Sequence, residues 1–191
     1  MGAHIPLPPP GPSYGRENRN RRGETMSERV SCDEEILARF RSGAEELRRL
    51  VGALSEEKLD LASRPGAWSI RQIVHHLADD CDVWSMCIKK AIATPGVLVR
   101  FEGFPGNRPW AAALEFGKRD IGPALELILA HRRYLAELLA HFPSAWDRSV
   151  RLANAEGEIV REMSVREIVN MLADHMQGHI AKIEAILRGN A

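Results

Sequence analysis

Two histidines four residues apart, His175 and His179, stand in the run SVREIVNMLADHMQGHIAKIEAILR near the end of the chain. On an α-helix that spacing puts both imidazoles on one face, about one turn apart, where they can share a metal ion. A third histidine, His76, lies in the earlier run SIRQIVHHLADD. Three neutral imidazoles suit a divalent transition metal, zinc or nickel before iron, copper or manganese. Three protein ligands leave a position open, which is the arrangement of a catalytic rather than a structural site. A water there could be acidified toward neutral pH, or a substrate thiol could bind as thiolate.

Helical periodicity selects among the histidines. At about 100° per residue, Ile70, Ile73, Leu77, Cys81 and Trp84 define the buried face of the earlier run. His76 falls on the shoulder of that face. His75 falls on the far side with Asp79 and Asp82, which reads as solvent. In the later run Val165, Ile168, Leu172, Met176 and Ile183 face inward, and His175 and His179 take the corresponding shoulder. At ~1.5 Å per residue, His76 lies about 10 Å from the start of its helix and the pair about 14–20 Å from the end of theirs. The levels match if the two helices run antiparallel.

The plainer expectation for an inward histidine is a hydrogen-bonded core residue, and no convincing general base stands beside the three. Asp80 and Asp174 read as surface carboxylates, and Asp79 as a possible hydrogen-bond acceptor for a ligand. His4, His131 and His141 have no identifiable partners. Arg132 and Arg133 read as solvated, with one of them able to reach an anionic substrate.

Four helices must position these groups. The first is expected over about Cys32 to Leu54, with Leu59 and Leu61 tucked onto the core after it. The second starts at Ser69, where Ser69 and Gln72 form an S-x-x-Q capping box, and ends before Thr94-Pro95-Gly96. The third spans about Asp120 to Phe142, and the fourth starts at Ser164 with a second box to Glu167. The connection from 94 to 119 is long for a bundle and is expected to hold at most a short helical turn. Its Phe101, Phe104 and Trp110 are candidates for a pocket wall. Residues 143 to 163 alternate weakly, which allows a short hairpin. The fold class is all-α, a four-helix bundle with a long crossover between helices two and three.

With a formal net charge of zero, nothing pushes the chain toward nucleic acid or anionic membrane. No apolar run approaches the ~18 residues of a membrane span, and the start lacks the pattern of a signal peptide. Three cysteines outside any C-x-x-C pattern suit a reducing cytoplasm. Residues 1–30 are Pro-, Gly- and Arg-rich and are expected to be a disordered tail, with residues 31–191 as the folded domain. The basic RENRNRRG stretch reads as a solvated tail in preference to a nucleic-acid arm. Met26 begins a more ordinary sequence.

The runs P-x-A-W-S-I-R-Q-I-V-x-H-L-A-D and S-V-R-E-I-V-x-x-L-A-D-H-x-x-x-H resemble the DinB-like (DinB/YfiT-like) metalloenzyme superfamily over roughly residues 34 to 188. The resemblance implies an up-down-down-up four-helix bundle, commonly a homodimer, with a divalent metal on His76, His175 and His179. It implies a metal-dependent enzyme acting on a small molecule, a thiol-dependent S-transferase or a hydrolase. Characterised relatives use bacillithiol, mycothiol or glutathione. The alternative is a non-catalytic dimeric bundle that binds metal for stability. Two positions depart from the family pattern: Gly178, often a histidine, and Lys182, often a glutamine.

Overall fold

The computed structural model describes residues 26–154 and 156–189. In chain order the elements are α1 (Met26–Val51), α2 (Glu56–Leu59), α3 (Ile70–Ala93), β1 (Leu98–Arg100), α4 (Asn107–Ala113), α5 (Gly122–His141), β2 (Ser149–Ala153), β3 (Ile159–Ser164) and α6 (Val165–Leu187). Helices α1, α3, α5 and α6 form the bundle.

Two apolar clusters fill it end to end, and their membership fixes the helix directions. One joins Ile36 and Phe40 of α1, Trp84 and Ile88 of α3, Leu135 and Leu139 of α5, and Val165 and Ile168 of α6. The other joins Leu47 and Val51, Ile70 and Ile73, Leu125 and Ile128, and Met176 and Ile183 of the same four helices. The first halves of α1 and α6 therefore lie beside the second halves of α3 and α5. Two helices run one way and two the other, in up-down-down-up order. The buried faces are those the 3.6-residue period marks, so burial of these stripes is the main driving force for assembly.

Because α3 and α5 are parallel, the chain must return the length of the bundle between them. It does so with more structure than a single turn. Strand β1 pairs parallel to β2, and β2 pairs antiparallel to β3, making a small sheet at one end. Helix α4 and a 3₁₀ turn at Phe116–Lys118 follow β1. The short hairpin expected between residues 143 and 163 is β2–β3.

Both capping boxes form. The Ser69 hydroxyl accepts from the Gln72 amide, and the Ser69 amide donates to Gln72 Oε1. Ser164 and Glu167 do the same for α6. Each helix then buries an arginine in its first turn. A cation is unfavourable at a helix N-terminus, so each must be compensated locally. Arg71 donates to Asp60 Oδ1 at 2.8 Å and Glu56 Oε2 at 2.6 Å. Arg166 clasps Asp33 through two bonds of 2.7 and 2.9 Å and also pairs with Asp147. These pairs lock α2 to α3, and α1 to α6.

Several expectations fail here. Helix α1 begins at Met26, so residues 26–30 are helical and not part of a disordered tail; the disorder expected for residues 1–25 lies outside the described residues. Leu59 is buried, but Leu61 is exposed. Arg132 is not solvated. It is 3% exposed, donates to the Phe40 and Leu172 carbonyls at 3.0 Å each, and lies over the Phe40 ring at 4.0 Å. Its long side chain crosses the bundle core and joins α1 to α6, which the apolar period around it does not reveal. Arg133 is exposed as expected.

Candidate metal centre

The register of two helices brings three imidazoles to one point. Antiparallel α3 and α6 cross with His76 in the second turn of one and His175 and His179 on either side of the middle of the other. The ring centroids of His76 lie 5.2 Å from His175 and 5.3 Å from His179, and those of His175 and His179 are 4.5 Å apart. One ring nitrogen from each falls within 4.8 Å of the others. His76 is buried, and the other two are half-buried. Among the described residues, no other group of three His, Cys, Asp or Glu side chains comes together in this way.

The donor chemistry fits a metal ion. His179 Nε2 and His175 Nε2 are 3.0 Å apart. Zinc–nitrogen bonds of ~2.0–2.1 Å place tetrahedral ligand atoms little farther apart than that. Burial, helped by the charges of His175, His76 and Lys182, pushes the His179 pKa down to about 2. His76 is also pushed down, by burial first, against the pull of the Asp80 carboxylate. Both rings are therefore neutral and offer a lone pair. His179 Nδ1 is buried without a hydrogen-bond partner. The Nε2 contact to His175 sets its tautomer in the metal-free protein, and an ion held between the two rings would take the place of that shared proton.

Asp80 is the group the sequence reading misplaced. It is not a free surface carboxylate. Its Oδ2 lies 3.1 Å from His175 Nδ1 and 3.5 Å from His76 Nε2, so it joins rings from both helices. Accepting from His175 Nδ1–H leaves the Nε2 lone pair directed at His179, the tautomer a metal needs. The twin helix starts hold the explanation. Asp80 and His175 each stand 11 residues beyond their capping serines (69 to 80, 164 to 175), near the middle of antiparallel helices, where their levels coincide. Asp80→Asn is expected to weaken zinc binding about 10- to 100-fold in competition with a chromophoric chelator, with unchanged helix content. Wild-type affinity in that variant would remove this role.

The other candidates separate cleanly. His75 is 2% exposed and not at the solvent. Its Nε2 meets the Arg119 carbonyl at 3.3 Å and its ring packs on Phe116 at 5.5 Å, away from the three-histidine cluster. The long connection covers the face that periodicity assigned to water. Asp79 accepts a 2.6 Å bond from Trp110 Nε1, and burial raises its pKa. Trp110 in turn packs on Phe104, and Trp68, from the turn before α3, lies 4.9 Å from His76. Phe101 does not join them; it packs on Trp84 in the other half of the bundle. Asp174 pairs with Arg39 at 2.7 Å.

A second constellation, Ser85–His131–Asp82, has the chemical order of a hydrolytic triad. His131 Nδ1 is 3.0 Å from Ser85 Oγ, and its Nε2 is 3.3 Å from Asp82 Oδ1. The burial is inverted. Ser85 is 2% exposed while the Asp82 side chain is 62% exposed. A nucleophile needs access and its orienting acid needs shelter. This cluster is a latch between α3 and α5, and it supplies the partner His131 lacked in sequence.

A profile of the DinB superfamily matches residues 9–183. The chain belongs to this superfamily. A Bacillus licheniformis protein named "Putative metal-dependent hydrolase" is 30% identical over 168 residues, covering 84% of this chain and 90% of that one. A Geobacillus kaustophilus protein of the same name is 28% identical over 155 residues, covering 80% and 83%. Among solved structures, YfiT from Bacillus subtilis, described as a probable metal-dependent hydrolase with an unusual four-helix bundle topology, superposes with a TM-score of 0.73. The two are 19% identical, and the match covers 88% of this chain and 90% of YfiT. A mycothiol-dependent maleylpyruvate isomerase gives a TM-score of 0.58 at 17% identity, over 82% of this chain and 67% of that one. These likenesses to solved structures show the fold. No helix among the described residues is long and apolar enough to cross a membrane.

Proposed function

We propose that this chain is a metal-dependent enzyme that uses His76, His175 and His179 to hold a divalent ion, zinc or nickel first, and that it transfers a small thiol to an electrophilic substrate. The observation that carries this is the meeting of three imidazoles from two helices, two of them kept neutral by burial. An ion held by three ligands supplies Lewis acidity at an open position, where a thiol or a water loses its proton near neutral pH. The protein does the rest. Asp80 holds the His175 tautomer, and Trp68 shields His76 from water. Asp79, one turn beyond His76, accepts from Trp110 Nε1 and so holds the long connection against α3.

The mycothiol-dependent isomerase among the fold neighbours supports the thiol reading. The names of the curated relatives favour a second one, in which water is the nucleophile and the reaction is a hydrolysis. On either reading the protein is a cytoplasmic homodimer acting on a small molecule.

The test uses protein purified without a nickel column, stripped, and reloaded with zinc, nickel, manganese or iron. Conjugation of glutathione, bacillithiol and mycothiol to a chromogenic electrophile is compared with hydrolysis of ester and amide substrates. Metal-dependent conjugation that disappears in a metal-ligand variant is the expected result. Metal-dependent hydrolysis alone would establish the second reading. Silence in both, with chelation lowering the melting temperature, would leave a metal-stabilised bundle without catalysis.

A further inference from the structure

The helix that carries two of the histidines carries a cation on the same stripe. Residues 175, 179 and 182 are spaced four and three apart, so Lys182 follows the two imidazoles along one face of α6. Lys182 is exposed. Three residues apart on a helix, Lys182 and His179 are surface neighbours, with Cβ atoms about 5–6 Å apart. The neighbouring polar side chains are engaged elsewhere. Glu184 pairs with Arg188, Gln177 with Glu46, Asp80 with the histidines and Asp79 with Trp110. Among the described residues Lys182 has no carboxylate of its own.

The flank beside it is open. Gly178 is exposed, and a Cβ there would meet nothing within 4 Å. A larger residue between His175 and His179 would narrow this approach. Trp68, against His76, gives the other side an aromatic wall. A cation without a partner, at the open rim of a site that holds neutral ligands, provides what an anionic substrate group needs: a charge to bind and room to enter.

We infer that Lys182 forms an anion subsite at the mouth of the three-histidine centre, and that the substrate is a small molecule carrying a carboxylate beside its reacting group. This rests on the proposed function for its link to the reaction, though not for the binding itself. Lysine, as a point charge on a flexible stem, tolerates carboxylates approaching from several directions.

Propionate is the probe for the subsite alone. Titrated into full-length protein after chelation, it is expected to give saturable amide shifts in two-dimensional NMR confined to α6 around Gly178–Lys182 and to the Trp68 indole. Lys182→Met should weaken that binding about tenfold or more, and Lys182→Arg should retain most of it. Cobalt-loaded protein then tests the link. 3-Mercaptopropionate should give thiolate–cobalt absorption bands at about tenfold lower concentration than 2-mercaptoethanol, and Lys182→Met should erase the difference without changing 2-mercaptoethanol binding.

Diffuse or non-saturable propionate shifts, or shifts unchanged in Lys182→Met, would overturn the subsite whatever the metal does. Localised propionate binding in a protein that takes up no cobalt would sink the proposed function and leave the subsite standing. Equal affinity for the two thiols in wild type would overturn the carboxylate-bearing substrate.

Discussion

Alanine at position 179 is expected to lower the zinc content of the purified protein from about one equivalent per chain to less than ~0.1. Two imidazoles on separate helices cannot hold a divalent ion against water and buffer as three do. The same loss is expected for His76→Ala and His175→Ala, because each ring lies about 5 Å from its partners and no fourth histidine stands among the three. Two controls define the site. His75→Gln and Asp174→Asn should keep their metal, since one side chain faces the Arg119 carbonyl and the other pairs with Arg39. Elemental analysis of protein prepared without a nickel column measures all five. Less than half an equivalent in wild type, unchanged in His179→Ala, would remove the basis of the enzymatic reading.

The bundle was legible in the sequence because its information is local. Each long helix has an apolar stripe of helical period, and α3 and α6 announce their starts with capping boxes. The pairing of His76 with His175 and His179 was legible for the same reason: the period fixes a residue's face, and the 1.5 Å rise fixes its depth. The errors have one physical source. Periodicity describes a helix against a single core, and it cannot see a second layer. His75 reads as solvent-facing because the segment covering it, from α4 to the start of α5, is not regular enough to be placed from sequence. Asp80 reads as surface because its partner lies on a helix 95 residues away.

The buried arginines illustrate the same limit in energetic terms. A charged residue inside an apolar pattern is assigned to solvent because burying an unpaired charge is costly. Arg71 and Arg166 avoid that cost in ways only the tertiary structure provides, two carboxylates from a neighbouring helix and turn or a bidentate clasp to Asp33, while Arg132 offsets part of it with two carbonyls across the bundle and keeps its Nε unpaired. The carboxylates that serve Arg71 come from α2 and its end, and those that serve Arg166 from α1 and the turn before β2.

The largest stability effect should come from acid. In the chelated protein His179 is held neutral by burial, with its pKa near 2, and His75 and His76 are displaced in the same direction by the same cause. An unfolded histidine titrates near 6.5. Between those values the unfolded chain binds protons that the folded chain refuses, so stability must fall as pH falls. For His179 alone the change from pH 7.5 to 5.0 is about 2 kcal/mol, and the other two histidines add to it. That is a large share of the ~5–15 kcal/mol that holds a domain folded. Urea midpoints measured over this range should therefore drop steeply in chelated protein, with little change in slope. Zinc binds only the folded chain and should raise the midpoint at every pH where it stays bound. His179→Asn carries no titrating ring and should remove about 2 kcal/mol of the dependence. A chelated wild-type protein as stable at pH 5.0 as at pH 7.5 would show that these rings are not sealed from protons, and with that the case for a dry, neutral ligand set would fall.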